Sequence, residues 1–151
     1  RFNGKLSNPA SIRLEELQDL SQSSNDSIKY FSGNMIYTTT FDFDRSLSDG
    51  EQIYLDLGEV NKLAKVWVNE EYVGGAWTMP YHVDISSALK QAKNVLRIDV
   101  VNTWVNRMIG DKNLPKEQRE TWAGINDYLP DSPLQKTGLI GPVKLESVKF
   151  K

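Results

Sequence analysis

The stretch Asn94 to Val101, NVLRIDVV, constrains the fold more than any other part of the chain. Leu96, Ile98 and Val100 alternate with Arg97 and Asp99, a period of two that belongs to a strand with one buried face. Carried onward, the same parity puts Asn102, Trp104 and Asn106 on the buried side, so that face turns from aliphatic to amide and indole. A strand of that kind has reached the rim of its sheet, where polar groups can meet water, a loop or a ligand. From Thr103 to Gly141 the sequence is aperiodic, and it holds two of the four tryptophans. Function is expected where a scaffold strand feeds so long a connection.

Other segments repeat the alternation. Met35, Tyr37, Thr39, Phe41 and Phe43 share one face of a predicted strand; Ile53, Leu55 and Leu57 form the buried side of the next, which Gly58 ends. Ala64, Val66 and Val68 alternate with Lys65, Trp67 and Asn69, and the large Trp67 on the second side implies that both faces are covered. Asn69-Glu70-Glu71 makes a hairpin turn into Tyr72-Val73, and Gly74-Gly75 breaks that strand. Tyr81, Val83 and Ile85 mark another strand, followed by a helical turn from Ser86 to Leu89 capped by Ser86. The last strand, Val143 to Phe150, shows a parity slip that a bulge near Ser147 would reconcile. Leu14, Leu17 and Leu20 are spaced for one short amphipathic helix, with the polar loop Ser21 to Asp26 behind it. About eight strands, short turns and one or two short helices predict an all-β sandwich or barrel.

Composition removes several functions. The 18 basic and 20 acidic residues leave a net charge of −2 without runs of either sign, which excludes an electrostatic nucleic-acid binder and a membrane-surface protein. No apolar run approaches the roughly 20 residues of a membrane span, so no membrane insertion is expected. The absence of cysteine excludes disulfides, zinc–thiolate sites and thiol catalysis. Arg1-Phe2 opens in mid-pattern, and the expectation is a single, monomeric domain cut from a larger protein.

The segment LDLGEVNKLAKVWVNEEYVGGAWTMPYHVDISSALKQAKNVLRIDVVN, Leu55 to Asn102, resembles the sugar-binding jelly-roll domain of family 2 glycosidases. The shared features are a strand ending in Leu-Gly, VWVN, PYHVDIS and an N-x-L-x-I-x-V-x-N strand. IKYFSG (Ile28 to Gly33), NTWVNRMIGDKNLP (Asn102 to Pro115) and TGLIGPVKL (Thr137 to Leu145) are similar to the C-terminal β-sandwich of glycoside hydrolase family 106 α-L-rhamnosidases and their bacterial relatives. The resemblance implies a galactose-binding-like jelly roll of two antiparallel sheets. It also implies a non-catalytic accessory role beside a catalytic domain, in a periplasmic or secreted enzyme. The family usually has glycine where this chain has Glu70 and Ala92, and neither residue takes positive φ easily.

Four flat rings, Trp77, Tyr81, Trp104 and Trp122, and four polar side chains, Asn102, Asn106, Arg107 and Asp111, make a candidate carbohydrate-binding set. A sugar offers an apolar face for an aromatic ring and hydroxyls for amide, carboxylate or guanidinium groups. The competing use is structural: the indoles plug the end of the sandwich or pack on the catalytic domain, and Arg107 with Asp111, at i and i+4, forms an ion pair. No catalytic residue is expected, since Glu117, Glu120, Asp127 and Asp131 mix with Lys112, Lys116 and Arg119 as in a solvated loop. His82, the only histidine, reads as a surface residue. No cofactor or metal ligand is assigned. A structural calcium would have to use the Asn25-Asp26-Ser27 loop, which lacks the Asp-x-Asp-x-Asp-Gly order.

Overall fold

The alternating strand forms over Lys93–Val101 and lies in the middle of a five-stranded antiparallel sheet. The computed structural model describes residues 1–3 and 11–149. Among these the strands are β1 (Phe2–Asn3), β2 (Asn34–Asp42), β3 (Glu51–Asp56), β4 (Glu59–Asn61), β5 (Leu63–Val68), β6 (Glu71–Ala76), β7 (His82–Asp84), β8 (Lys93–Val101), β9 (Gly138–Gly141) and β10 (Lys144–Lys149). Two α-helices, α1 (Asp26–Lys29) and α2 (Val105–Lys112), interrupt them. One sheet runs β1-β2-β8-β5-β6 and a second β10-β3-β7, while β4 and β9 form a small ladder against β8. The chain is an all-β sandwich, with the short β1, β4 and β9 added to the expected strands.

The two larger sheets meet through the faces that the alternation selects. Val66, Val68, Leu96, Ile98 and Val100 from one sheet share a core with Ile53, Leu55, Val83 and Ile85 from the other side, each nearly inaccessible to solvent. Truncating a residue such as Ile98 to alanine removes about 2–5 kcal/mol through lost transfer energy and the cavity left behind. A satellite cluster of Leu20, Ile28, Phe31 and Met35 packs beneath Phe2, Leu14 and Tyr37. Gly58, at φ +63, lets β3 turn against the β9 end, because a Cβ there would sit 2.5 Å from the Gly141 carbonyl carbon.

Four local expectations are corrected. Residues 11–19 are not helical; only a 3-10 turn forms at Leu20–Gln22, and α1 comes later, starting where the expected polar loop ends. The leucines are split: Leu17 packs on the main core, Leu14 and Leu20 on the satellite, and Asp19 holds the bend by accepting from Ser21 N and Thr137 N at 2.9 Å each. β10 pairs with β3 in unbroken register from Lys144 to Lys149, with no bulge. As an edge strand it leaves Leu145 and Val148 exposed on alternate faces, so burial does not enforce parity; Phe150 lies outside the described residues. The turn at Ser86–Ala88 is held by Asp84, which accepts from Ser86 N and Oγ, so Ser86 is not the cap. Over Trp67 the cover is the sheet's own side chains: the Arg97 guanidinium lies 4.6 Å from its ring centroid, Tyr72 5.2 Å away, and Arg97 is fixed by two hydrogen bonds to Asp99.

At the β5–β6 hairpin Asn69 and Glu70 both take positive φ, 52° and 73°, as a two-residue type I′ turn demands. Asn69 suits this conformation, and Glu70 adopts it against its preference.

Candidate carbohydrate-contact site

β8 is bracketed by two buried asparagines. At its start, the Asn94 amide accepts from Asn69 Nδ2 and Lys90 N and donates to the carbonyls of Lys90 and Ala92, all within 2.8–2.9 Å. At its end, Asn102 Oδ1 accepts from Gly33 N at 2.7 Å and Nδ2 donates to the Phe31 carbonyl at 2.5 Å. The turn in IKYFSG is thus docked onto the strand end, and Ser32 Oγ reinforces it by donating to the Thr103 carbonyl.

Immediately beyond, α2 begins with Trp104 as its N-cap residue, without a side-chain capping bond. Asn106, 2% exposed, donates to the Gln135 carbonyl (2.7 Å) and to Thr137 Oγ1 (2.9 Å), and accepts from Gln135 N (2.9 Å). Asp111, 1% exposed, takes two hydrogen bonds on Oδ2, from the backbone N–H and the hydroxyl of Thr121. Its Oδ1 lies 2.8 Å from an Arg107 terminal nitrogen, but the N–H is not directed at it. That contact is therefore charge against charge without a hydrogen bond, and the buried Arg107 Nε is also without a partner. Arg107 further reaches Glu120 at 3.9 Å and lies 5.9 Å from the Tyr30 ring centroid. Gly110 keeps α2 close to the same ring, since a Cβ there would fall 2.6 Å from it.

The expected site divides in two. Asn102, Asn106, Arg107 and Asp111 are turned inward and hold the chain at 31–33, 121 and 135–137; their polar atoms face protein rather than an open surface. The rings are largely the reverse. Trp122 is 91% exposed, Trp77 70% and Trp104 50%, while Tyr81 is half-buried against the main core. Trp122 borders a cavity of about 690 Å³ whose other walls include Asp111, Lys112, Lys116, Arg119, Glu120 and Asn126, so Asp111 is the one polar member of the expected set that shares a wall with an exposed ring. In the sequence Lys112, Lys116 and Arg119 read as ordinary loop charges, and nothing in their spacing signals a shared wall. A larger apolar groove of about 870 Å³, lined by Leu14, Leu17, Tyr37 and Leu96 among others, includes none of the eight expected site residues. In the loop considered for calcium, Asn25 caps α1 by accepting from Ser27 N.

The all-β sandwich, with Trp77, Tyr81, Trp104 and Trp122 on its connecting segments, fits a galactose-binding-like domain. The family model for the glycosyl hydrolase 2 galactose-binding domain-like group matches residues 13–132, and the chain belongs to that family. A rhamnosidase from Novosphingobium sp. PP1Y is similar over 97% of this chain and 14% of its own, with 43% identity and a TM-score of 0.91. A protein of Formosa agariphila named "Putative beta-glucuronidase" is 32% identical over 89% of this chain and 14% of its own length. The β-glucuronidase of Bifidobacterium dentium, at 21% identity and TM-score 0.53 over 67% of this chain and 18% of its own, shares the fold alone. The chain therefore spans about one seventh of the length of the rhamnosidase and of the Formosa protein.

Proposed function

We propose that this chain is a non-catalytic accessory module of a periplasmic or secreted bacterial glycoside hydrolase, and that its exposed indoles contact carbohydrate. The observation that carries this reading is Trp122, 91% exposed on the wall of a concave, polar cavity. An uncovered indole offers a stacking surface for a sugar ring, and Lys112, Lys116, Arg119 and Asn126 supply donors for hydroxyls or a sugar carboxylate. In this reading the inward-facing Asn102, Asn106, Arg107 and Asp111 act as ties that shape the loop and do not touch the sugar. The names of the relatives point to rhamnosides and glucuronides, and the mixed cations and carboxylates of the cavity wall offer partners for sugar hydroxyls. Titration calorimetry against rhamnose-, galactose-, arabinose- and glucuronate-containing oligosaccharides tests the proposal. Weak binding that Trp122→Ala lowers at least tenfold is the expected result; silence across the panel would overturn it.

A second reading is favoured by the large apolar side chains left exposed on the loops, which would make a packing face. Met79 is 81% exposed, Ile125 82% and Leu129 62%, and side chains of this kind suit a protein partner better than a sugar. Here the face packs on the catalytic domain of a longer chain. Deleting the module from that enzyme should then cost solubility or activity, and an unchanged enzyme would dismiss this role.

A further inference from the structure

The outer face of the three-stranded sheet carries a second constellation, unrelated to the indoles. His82 on β7 stands directly opposite Asp56 on β3. Glu146 on β10 pairs with Tyr54, two residues before Asp56, so it projects from the same face on the diagonal. His82 Nε2 lies 3.5 Å from Asp56 Oδ1 and 3.7 Å from Glu146 Oε2, and all three donor atoms fall within 4.8 Å of one another. We propose that Asp56, His82 and Glu146 form a binding site for a divalent transition-metal ion of the zinc type, which would clasp the three strands together.

The spacing favours an ion over direct pairing. Good hydrogen bonds from imidazole to carboxylate close to about 2.7–3.2 Å, and both contacts are wider than that. Zinc bound at about 2.0–2.2 Å by nitrogen and oxygen sets its tetrahedral ligands roughly 3.3–3.5 Å apart, close to the two separations from His82 to the carboxylates. Charge agrees. Among the described residues the ion pairs of Asp56 and Glu146 run to His82 alone, so with a neutral imidazole two negative charges face one gap. Lys144, directly across from Asp56 in the register, forms no ion pair with it.

The donors are held in place. Asp56 Oδ1 also accepts from Gly58 N at 2.8 Å, which fixes the carboxylate while leaving a lone pair toward His82. The strand registers place the other two. Side-chain exposures of 35% for His82, 24% for Asp56 and 43% for Glu146 leave room for water in the remaining position. An imidazole among the ligands selects against calcium, which collects six to eight oxygens.

With one histidine and no cysteine in the chain, metal binding through imidazole can be assigned without ambiguity. The untagged chain, stripped with chelator, is titrated with zinc chloride by calorimetry while the His82 imidazole signals are followed by NMR. One equivalent should bind, shift those signals and raise Tm; calcium chloride should do neither. His82→Ala and Glu146→Gln should each weaken zinc binding at least tenfold with the far-ultraviolet circular dichroism preserved. No heat and no imidazole shift at about 1 mM zinc, or zinc binding unchanged in His82→Ala, would overturn the proposal. Both substitutions are on a partly exposed sheet face, so Glu146→Gln keeps the test usable if His82→Ala folds poorly.

Discussion

Replacing Asn106 by alanine separates a tie from a ligand contact. The side chain makes three hydrogen bonds to Gln135 and Thr137 while 2% exposed. After truncation the Gln135 carbonyl keeps the Thr137 hydroxyl at 3.2 Å, but the Gln135 N–H has no other hydrogen bond. One orphaned donor costs about 1–3 kcal/mol, and the small cavity adds to it, so the expected loss is about 2–3 kcal/mol. With an m-value of about 2 kcal/mol/M in urea, the midpoint should fall by roughly 1–1.5 M at unchanged slope. Hydrogen exchange should quicken at residues 135–137. Trp122→Ala, stripping a ring that is 91% exposed, should stay within about 0.5 kcal/mol of the parent. The reasoning is refuted if Asn106→Ala unfolds like the parent yet abolishes sugar binding, because the amide would then be a ligand contact.

Three further outcomes follow from the same geometry. Asp111→Asn leaves the buried Arg107 with only the more distant Glu120, at 3.9 Å, as counter-charge, and thermal unfolding should report a loss of about 3 kcal/mol; a change under 0.5 kcal/mol would show that the pair is solvated. Glu70→Gly relieves a non-glycine residue at φ 73° and, after the entropy cost of glycine, should gain about 0.5 kcal/mol in urea midpoint measurements. Burial raises the Tyr37 phenol above its ordinary value of 10.0, only partly offset by the hydrogen bond from Leu139 N. The folded value is raised, so the associated stability is complete below the ordinary value and is lost as pH climbs through the folded one. Alkaline unfolding should steepen above pH 10, and Tyr37→Phe should flatten that slope.

Leu96, Ile98 and Val100 were legible because a strand buried on one face has no freedom in its parity. β10 was not, since an edge strand exposed on both sides is under no such rule, and the apparent slip at Ser147 had no structural counterpart. Leu14, Leu17 and Leu20 have helical spacing, yet they are shared between two clusters by a bend that Asp19 ties to Thr137, 118 residues away. The parity carried past β8 put Asn102, Trp104 and Asn106 on one buried side, but the strand ends at Val101, Asn106 lies in α2 and Trp104 is 50% exposed; the two amides are buried on partners 29 to 71 residues distant. No local pattern announces that they serve backbone groups. Trp67 and Trp122 show the same limit: one lies under Arg97 and the other faces solvent, a difference set by tertiary packing.

The indole N–H resonances of the four tryptophans give the most direct view of whether this end of the sandwich holds carbohydrate. During titration with rhamnose- and glucuronate-containing oligosaccharides, the signal of Trp122 should move, with Trp104 or Trp77 following if they share the surface, while Trp67 stays fixed. Four stationary signals at saturating sugar, or movement confined to Trp67, would contradict the account.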